Sequence, residues 1–295
     1  MEALEQAAYE VEVYENRIDV LLSVHRESAE RIDWLASAER AEPTRPLAAS
    51  RNELSAKAKL DAYEPGLFAR LFKLQQRQID KLADRVEIAR ALDAQEFEQS
   101  VSAWRAEHSE WSSDKALAER LLVGDTKAKM DAIELFHPFE DVSMLGSSIA
   151  FQLHSNGVVE AVLNVHGERV VPSETKSLLQ SGKLSTKKMP AGRFNELLQD
   201  YVCSCALRVG RELLAILPDD LVIVTATDRL LNAATGHLEE MPLLSVAISR
   251  RTLEALNLDA IDPSDSMKNF VHNMSFKKTT GFTAVSALPS SQFSV

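Results

Sequence analysis

The 295-residue chain is 45% hydrophobic and 26% charged, with aromatics at only 6%, the balance of a globular protein rather than a disordered one. Its net charge of −11 argues against broad attraction to nucleic acid or an anionic membrane. The acid excess is concentrated in residues 1–138, with 27 acidic and 19 basic residues against 17 and 14 in the remainder.

No run of about 18 apolar residues occurs, so no transmembrane segment is expected. The start MEALEQAAYE has neither the basic nor the apolar region of a signal peptide. Cys203 and Cys205 lie two apart in an expected helix, where their side chains diverge and cannot pair with each other. A reducing, cytoplasmic setting is the expectation.

From Leu4 through Val11, Ile18, His25 and Ile32 to Leu35, apolar and a few polar residues step by alternate threes and fours. That is the seam of a coiled coil, with His25 and Ser28 as a polar layer that fixes its register. Pro43 and Pro46 break the helix, a short helix is expected near residues 52–62, and Pro65-Gly66 interrupts again. A long helix then runs from Leu67 to about Val123, where Gly124 stops it. Leu82, Val86 and Ala89 make one seam on it; Phe97, Val101, Trp104, His108 and Trp111 make another. The expected product is an αα-hairpin arm over residues 1–136, with a loop at about 38–51 and an elbow at about 63–72. Its second limb would overhang the first and leave the aromatic seam without an intrachain partner. At the elbow, Leu67, Phe68, Leu71 and Phe72 would form an apolar tip.

Beyond Phe136 the periodicity shifts towards two, and residues 137–295 read as an α+β domain. Residues 148–154 and 158–166 are expected strands joined by the Ser155-Asn156-Gly157 turn. Residues 168–171 would be a third strand. Residues 193–217 form a long amphipathic helix stopped by Pro218. The continuous apolar run at 221–226 is the mark of a central strand buried on both faces, and 243–248 is another strand. Short helices are expected at 252–258 and 263–274, the latter capped by Asp262 with Pro263 at its first position. The order βββ-α-ββ-αα gives a mixed, mostly antiparallel sheet covered by one long helix.

No Walker loop, dinucleotide fingerprint, zinc-ligand spacing or nucleophile elbow is present, and no cofactor is expected. One pattern could carry catalysis. Glu160 near the start of the second strand, followed by Glu174-Thr175-Lys176, has the layout of restriction-endonuclease-like nucleases. There two carboxylates hold Mg²⁺ and a lysine meets charge on the phosphate. Pro172 and Ser173 just ahead of Glu174 suggest, against this, that the strand has already ended. The stretch from Lys176 to Arg193 reads as a flexible Ser/Gly/Lys-rich loop leading into the long helix. Lys183, Lys187, Lys188 and Arg193 within it form a basic cluster that could meet phosphate or nucleic acid, extended by Lys277 and Lys278 if the fold brings them close.

The segments GKLSTKKMPAGRF, LLQDYVCSCALRVGRELLAILP, TGHLEEMPLLSVAISR and DPSDSMKNFVHNMSFKKTTGF resemble a family of uncharacterised bacterial proteins. The likeness extends over the arm and the LGSS hairpin. Members often begin with a short β-rich domain, so the chain is expected to be a shortened relative or a truncated product. The resemblance implies a bacterial, cytoplasmic origin and transfers no site. The function expected from the residues is an oligomerising or partner-binding scaffold acting through the arm, with an α+β binding module. The alternative is a Mg²⁺-dependent nuclease or phosphoesterase using Glu160, Glu174 and Lys176.

Overall fold

The computed structural model describes residues 2–27, 29–65, 75–139 and 148–293. In chain order the helices are α1 (Glu2–Ser23), α2 (Trp34–Glu39), α3 (Arg51–Asp61), α4 (Gln75–Leu122) and α5 (Thr126–Phe136). Strands β1 (Ser148–Leu153) and β2 (Val159–Asn164) follow, then α6 (Gly167–Val170), β3 (Glu174–Leu178), β4 (Leu184–Lys188) and α7 (Ala191–Ile216). The chain continues through β5 (Leu221–Leu231), β6 (Leu238–Ser249), α8 (Arg250–Glu254), α9 (Pro263–Ser266), β7 (Val271–Lys277) and β8 (Gly281–Thr283). The class is α+β. No helix among the described residues is long and apolar enough to cross a membrane.

The chain divides into two compact units, residues 1–34 with 120–295, and residues 35–119. This corrects the expected boundary at 136/137: the first helix belongs with the sheet.

In the first unit a six-stranded sheet runs β1-β2-β5-β6-β7-β8. Among the described residues of this sheet only β2 and β5 pair in parallel. The run at 222–227 is fully buried, as expected of a strand covered on both faces. Helix α7 lies on one face. Cys203 and Cys205 are buried there and unpaired, and burial pushes the Cys205 thiol up to about 12. The C-terminal segment crosses the other face. Leu288 packs with Val158, Ile223 and Ala247, and its amide donates to Ser245 Oγ at 3.0 Å. The Asn156-Gly157 turn forms as expected, with Gly157 at φ +83°. Asn156 also donates to the carbonyls of Ser290 and Phe293.

Several expectations on this side are corrected. Residues 167–170 form a helical turn rather than a strand. The helix expected at 263–274 ends within two short turns, and 271–277 joins the sheet as β7. Asp262 does cap it, accepting from the Asp265 amide at 2.9 Å. The Lys176–Arg193 loop is instead largely a β-hairpin, with β3 and β4 as a separate two-stranded sheet. Alternation in Thr-Lys-Ser-Leu and Leu-Ser-Thr-Lys supports it, masked in composition by polar residues on both faces.

The apolar side of α1 is met from within its own unit, by α7 and the β3–β4 hairpin. Ile18 packs with Val171, Met189 and Leu197, joined by Tyr14 and Leu22. The seam also stops early, because α1 ends at Ser23 and a 3-10 turn covers Val24–Arg26. Leu35, expected in the seam, is 58% exposed. His25 is fully buried in that turn. Its amide donates to Ser204 Oγ at 3.0 Å, its Nδ1 lies 2.8 Å from the same oxygen, and its Nε2 lies 3.0 Å from the Leu258 carbonyl. One arrangement satisfies all three: Nε2–H donates to the carbonyl and the serine hydroxyl donates to Nδ1. His25 is therefore a neutral core residue, bonded to Ser204 and Leu258.

That tautomer has a consequence for stability. Burial lowers the His25 pKa below 6.5, helped by Arg26 and Arg211 and opposed by the Leu258 hydrogen bond. The unfolded chain then binds the proton more readily than the folded one. The contribution is complete above the unfolded value of about 6.5 and is lost as the pH falls towards the folded value. Urea unfolding across that window is expected to show stability falling with acidity. A His25→Gln variant should lack this part of the slope; an identical slope would remove His25 as its source.

In the second unit, residues 40–50 carry no helix or strand, yet they are fixed along α4. The Asp93 carboxylate accepts from the amides of Asn52 and Glu53 and so seats the start of α3. Nearer the C-terminal part of α4, Trp104 Nε1 donates to the Pro43 carbonyl and Trp111 Nε1 to that of Arg40, both at 2.9 Å. The expected bare overhang is thus corrected: the aromatic seam is covered from within by an extended strap. The elbow residues Leu67, Phe68, Leu71 and Phe72 lie outside the described residues.

Candidate functional site: an arginine-lined cleft

The nuclease constellation is not brought together. Glu160 stands on β2 in the large sheet, whereas Glu174 and Lys176 stand on β3 in the small one. Both Glu160 oxygens are engaged, Oε1 by the Thr225 hydroxyl at 2.6 Å and Oε2 by His154 Nε2 at 2.7 Å. Thr225 Oγ1 in turn lies 2.9 Å from Ser245 Oγ. This buried chain gives Glu160 a structural occupation: it closes the polar groups that the sheet presents beneath the C-terminal segment. Lys176 is paired instead with Glu10 on α1 at 2.8 Å, and its ammonium holds the Glu10 carboxyl below its ordinary value. Glu174 faces Lys188 across the hairpin. Among the described residues no group of three or more His, Cys, Asp or Glu side chains is placed to hold a metal.

The basic cluster is also redistributed. Lys187 and Lys188 are consecutive on a strand, so they leave opposite faces of the hairpin. Lys183 sits in its tight turn, where Gly182 takes φ +77°. Arg193 lies in the first turn of α7. Lys278 does reach that helix start, packing on Gly192 and pairing with Glu196 at 2.6 Å. The acid, however, balances it.

Arginines gather elsewhere. A cleft of about 300 Å³ is lined by Arg31, Arg211 and Arg250, with Glu254 and the apolar Leu214, Leu253 and Leu258 among its walls. The residues come from four places: the stretch after the 3-10 turn, the C-terminal half of α7, α8, and the loop beyond α8. Arg211 donates through Nη1 to the carbonyls of His25 and Arg26. Arg250 donates through Nη2 to those of Leu217 and Asp219 at 3.0 and 2.7 Å. Each guanidinium carries five N–H groups, so these bonds fix the side chains without exhausting them. The Nε of Arg250 is buried with no hydrogen-bond partner; the nearest acid, on Asp220, is 3.6 Å away. Arg31 is 60% exposed at the rim and only 3.9 Å from Glu254.

The electrostatics match that crowding. Burial and then the Arg31 charge lower the pKa of Arg250; burial and then Arg208 lower that of Arg211. Three cations and one carboxylate line the cleft, and further carboxylates act on it from close by, Asp220 and Asp219 on Arg250 and Glu212 and Asp259 on Arg211. An anion would relieve both the repulsion and the lost hydration. No spacing in the sequence announces this site, since Arg31, Arg211 and Arg250 lie far from one another along the chain. The only local hint was Arg250-Arg251 at the end of a strand.

Comparison with models of protein families, with curated proteins and with solved structures finds no match in any of the three.

Proposed function

We propose that the chain is a binding protein of the bacterial cytoplasm rather than a nuclease, and that its α+β unit takes a small ligand with an anionic head and a short apolar body. The observation that carries this reading is the convergence of Arg31, Arg211 and Arg250 on one cleft whose other walls are mostly leucine. Its volume is at the lower end of small-molecule sites, which favours a compact ligand. The cytoplasmic setting is supported by two buried, unpaired thiols. The bacterial origin rests on the family resemblance alone.

Arg31 offers a clean test, because it is exposed at the rim and holds no backbone group. Titration calorimetry with octanoate and with inorganic phosphate at low salt is expected to give saturable binding, tighter for octanoate. Arg31→Ala should weaken it by about tenfold, the scale of one charge-assisted hydrogen bond, and leave the Tm near that of the parent. Absence of binding by either probe at low salt, or equal binding by the Arg31→Ala variant, would defeat the reading.

A further inference from the structure

The strap over α4 has a chemistry of its own. Its sequence is Arg40-Ala41-Glu42-Pro43-Thr44-Arg45-Pro46, a Pro-x-x-Pro stretch with an arginine before the second proline. Residues preceding proline are driven to extended backbone, and such stretches favour the polyproline II helix, which repeats every three residues over about 9.3 Å. The two carbonyls that α4 reads, on Arg40 and Pro43, are three residues apart. The indoles that read them, Trp104 and Trp111, are seven residues apart, about 10.5 Å along a helix. The two repeats match, so one face of α4 presents N–H donors at the pitch of an extended proline-containing peptide.

The remaining contacts fit the same description. The Arg45 guanidinium lies 5.6 Å from the centre of the Trp104 ring, within cation–π range. His108 packs between the two indoles, with ring centres 5.0 and 5.3 Å away, and its Nε2 is 3.1 Å from Glu42. Arg40 reaches Asp114 at 3.8 Å. Aromatic ridges that donate to peptide carbonyls and stack an arginine are how Pro-x-x-Pro peptides are bound elsewhere in proteins. Yet the strap is shallowly seated: Pro43 and Pro46 are only half-buried, and residues 40–42, 44 and 45 are exposed.

We propose that the Trp104–His108–Trp111 face of α4 is a recognition site for extended Pro-x-Arg-Pro peptides, occupied here in cis by residues 40–46. Its partner is a protein segment of that chemistry, which displaces the strap. The inference is independent of the arginine cleft. The tether gives the cis strap an effective concentration on the order of millimolar. The intact chain therefore masks the site, and a partner must present either higher affinity or more than one such segment.

The probe is a fluorescein-labelled peptide of residues 38–50, followed by anisotropy with the 295-residue chain. In one variant, residues 41–46 are replaced by alternating Gly and Ser, which keeps the connection but removes the prolines, Glu42 and Arg45 and so loosens the strap. This variant is expected to bind the peptide at least about tenfold more tightly than the parent. Trp104→Phe with Trp111→Phe in that background keeps the rings, deletes both N–H donors and should abolish most of the binding. A peptide with both prolines changed to Ala should bind more weakly. If the Gly/Ser strap costs helix content by circular dichroism, Glu42→Ala with Arg45→Ala serves instead, since it removes only two edge contacts. The proposal is overturned if the strap variant fails to bind at about millimolar peptide, or if the double Phe variant binds equally well. It is also overturned if the parent chain proves to be a dimer exchanging straps, which would make a second copy the occupant.

Discussion

Replacing Lys129 by Met is expected to destabilise the first unit by about 3–5 kcal/mol, the cost of leaving one member of a buried ion pair alone. Lys129 lies on α5 with its side chain 4% exposed, and Asp219, beyond the end of α7, is 2% exposed. The ammonium donates to Asp219 Oδ1 at 2.5 Å and to the Gly157 carbonyl at 2.8 Å. It thus ties α5, the β1–β2 turn and the α7–β5 connection at one point. Asp219 Oδ2 has no hydrogen-bond partner of its own, so the carboxylate depends on this cation. For a unit of this size the loss corresponds to a fall in Tm of roughly 6–20 °C. Adding Asp219→Leu to Lys129→Met should recover most of it, because an apolar pair of similar volume is often no worse than a buried ion pair. Thermal unfolding of the single and double variants checks both parts. A single variant within about 1 kcal/mol of the parent would mean that the pair is solvated in solution.

Gly210→Ala is the second large effect, and it runs against helix propensity. Exchanging Gly for Ala inside a helix ordinarily gains about 1 kcal/mol. At Gly210, however, α7 presses directly on β6. A Cβ there would meet Ile248 Cδ1 at 2.4 Å and Ile248 Cβ and Cγ1 at 3.3 Å. The terminal methyl can turn away, but the atoms nearer the backbone cannot, since β6 is paired with β5 at Ile248 and with β7 up to the preceding residue, Ala247. Overpacking of this kind costs about 1–3 kcal/mol, which leaves a net loss of up to about 2 kcal/mol after the propensity gain. The diagnostic is coupling. Ile248→Val removes the Cδ1 and by itself costs about 0.5–1.5 kcal/mol, yet in the Gly210→Ala background it should cost nothing or help. Additive losses in urea melts would show that the helix and strand separate enough to admit the methyl.

The two positions illustrate different degrees of legibility. The long helix carrying Gly210 and the buried strand read at 221–226 are legible directly, because a continuous apolar run, an apolar helical period and the Pro218 stop are local properties of the chain. So are the Asn156-Gly157 turn and the Asp262 cap. The β3–β4 hairpin is not, because its alternating residues are polar on both faces, and a strand without an apolar face leaves no period to detect. Residues 168–171 and 271–277 are ambiguous for a related reason: Glu-Arg-Val-Val and Val-His-Asn-Met-Ser-Phe-Lys are too short and too mixed for a period to separate strand from helical turn.

By itself, then, the sequence determined that the chain holds long amphipathic helices and an α+β sheet, and that its second long helix carries an aromatic seam. Tertiary structure decided what each face meets. A heptad pattern states that a helix has an apolar side, but not whose side fills it, so α1 could be expected in an arm while its seam packs against α7 and the β3–β4 hairpin. The aromatic seam of α4 is met by a strap whose recognised groups are backbone carbonyls, and carbonyls are the same in every residue. The same limit applies to Arg31, Arg211 and Arg250. Their meeting depends on three turns of chain path that bring together charges up to about 220 residues apart, and the cost of crowding them exists only once the fold has removed the intervening water.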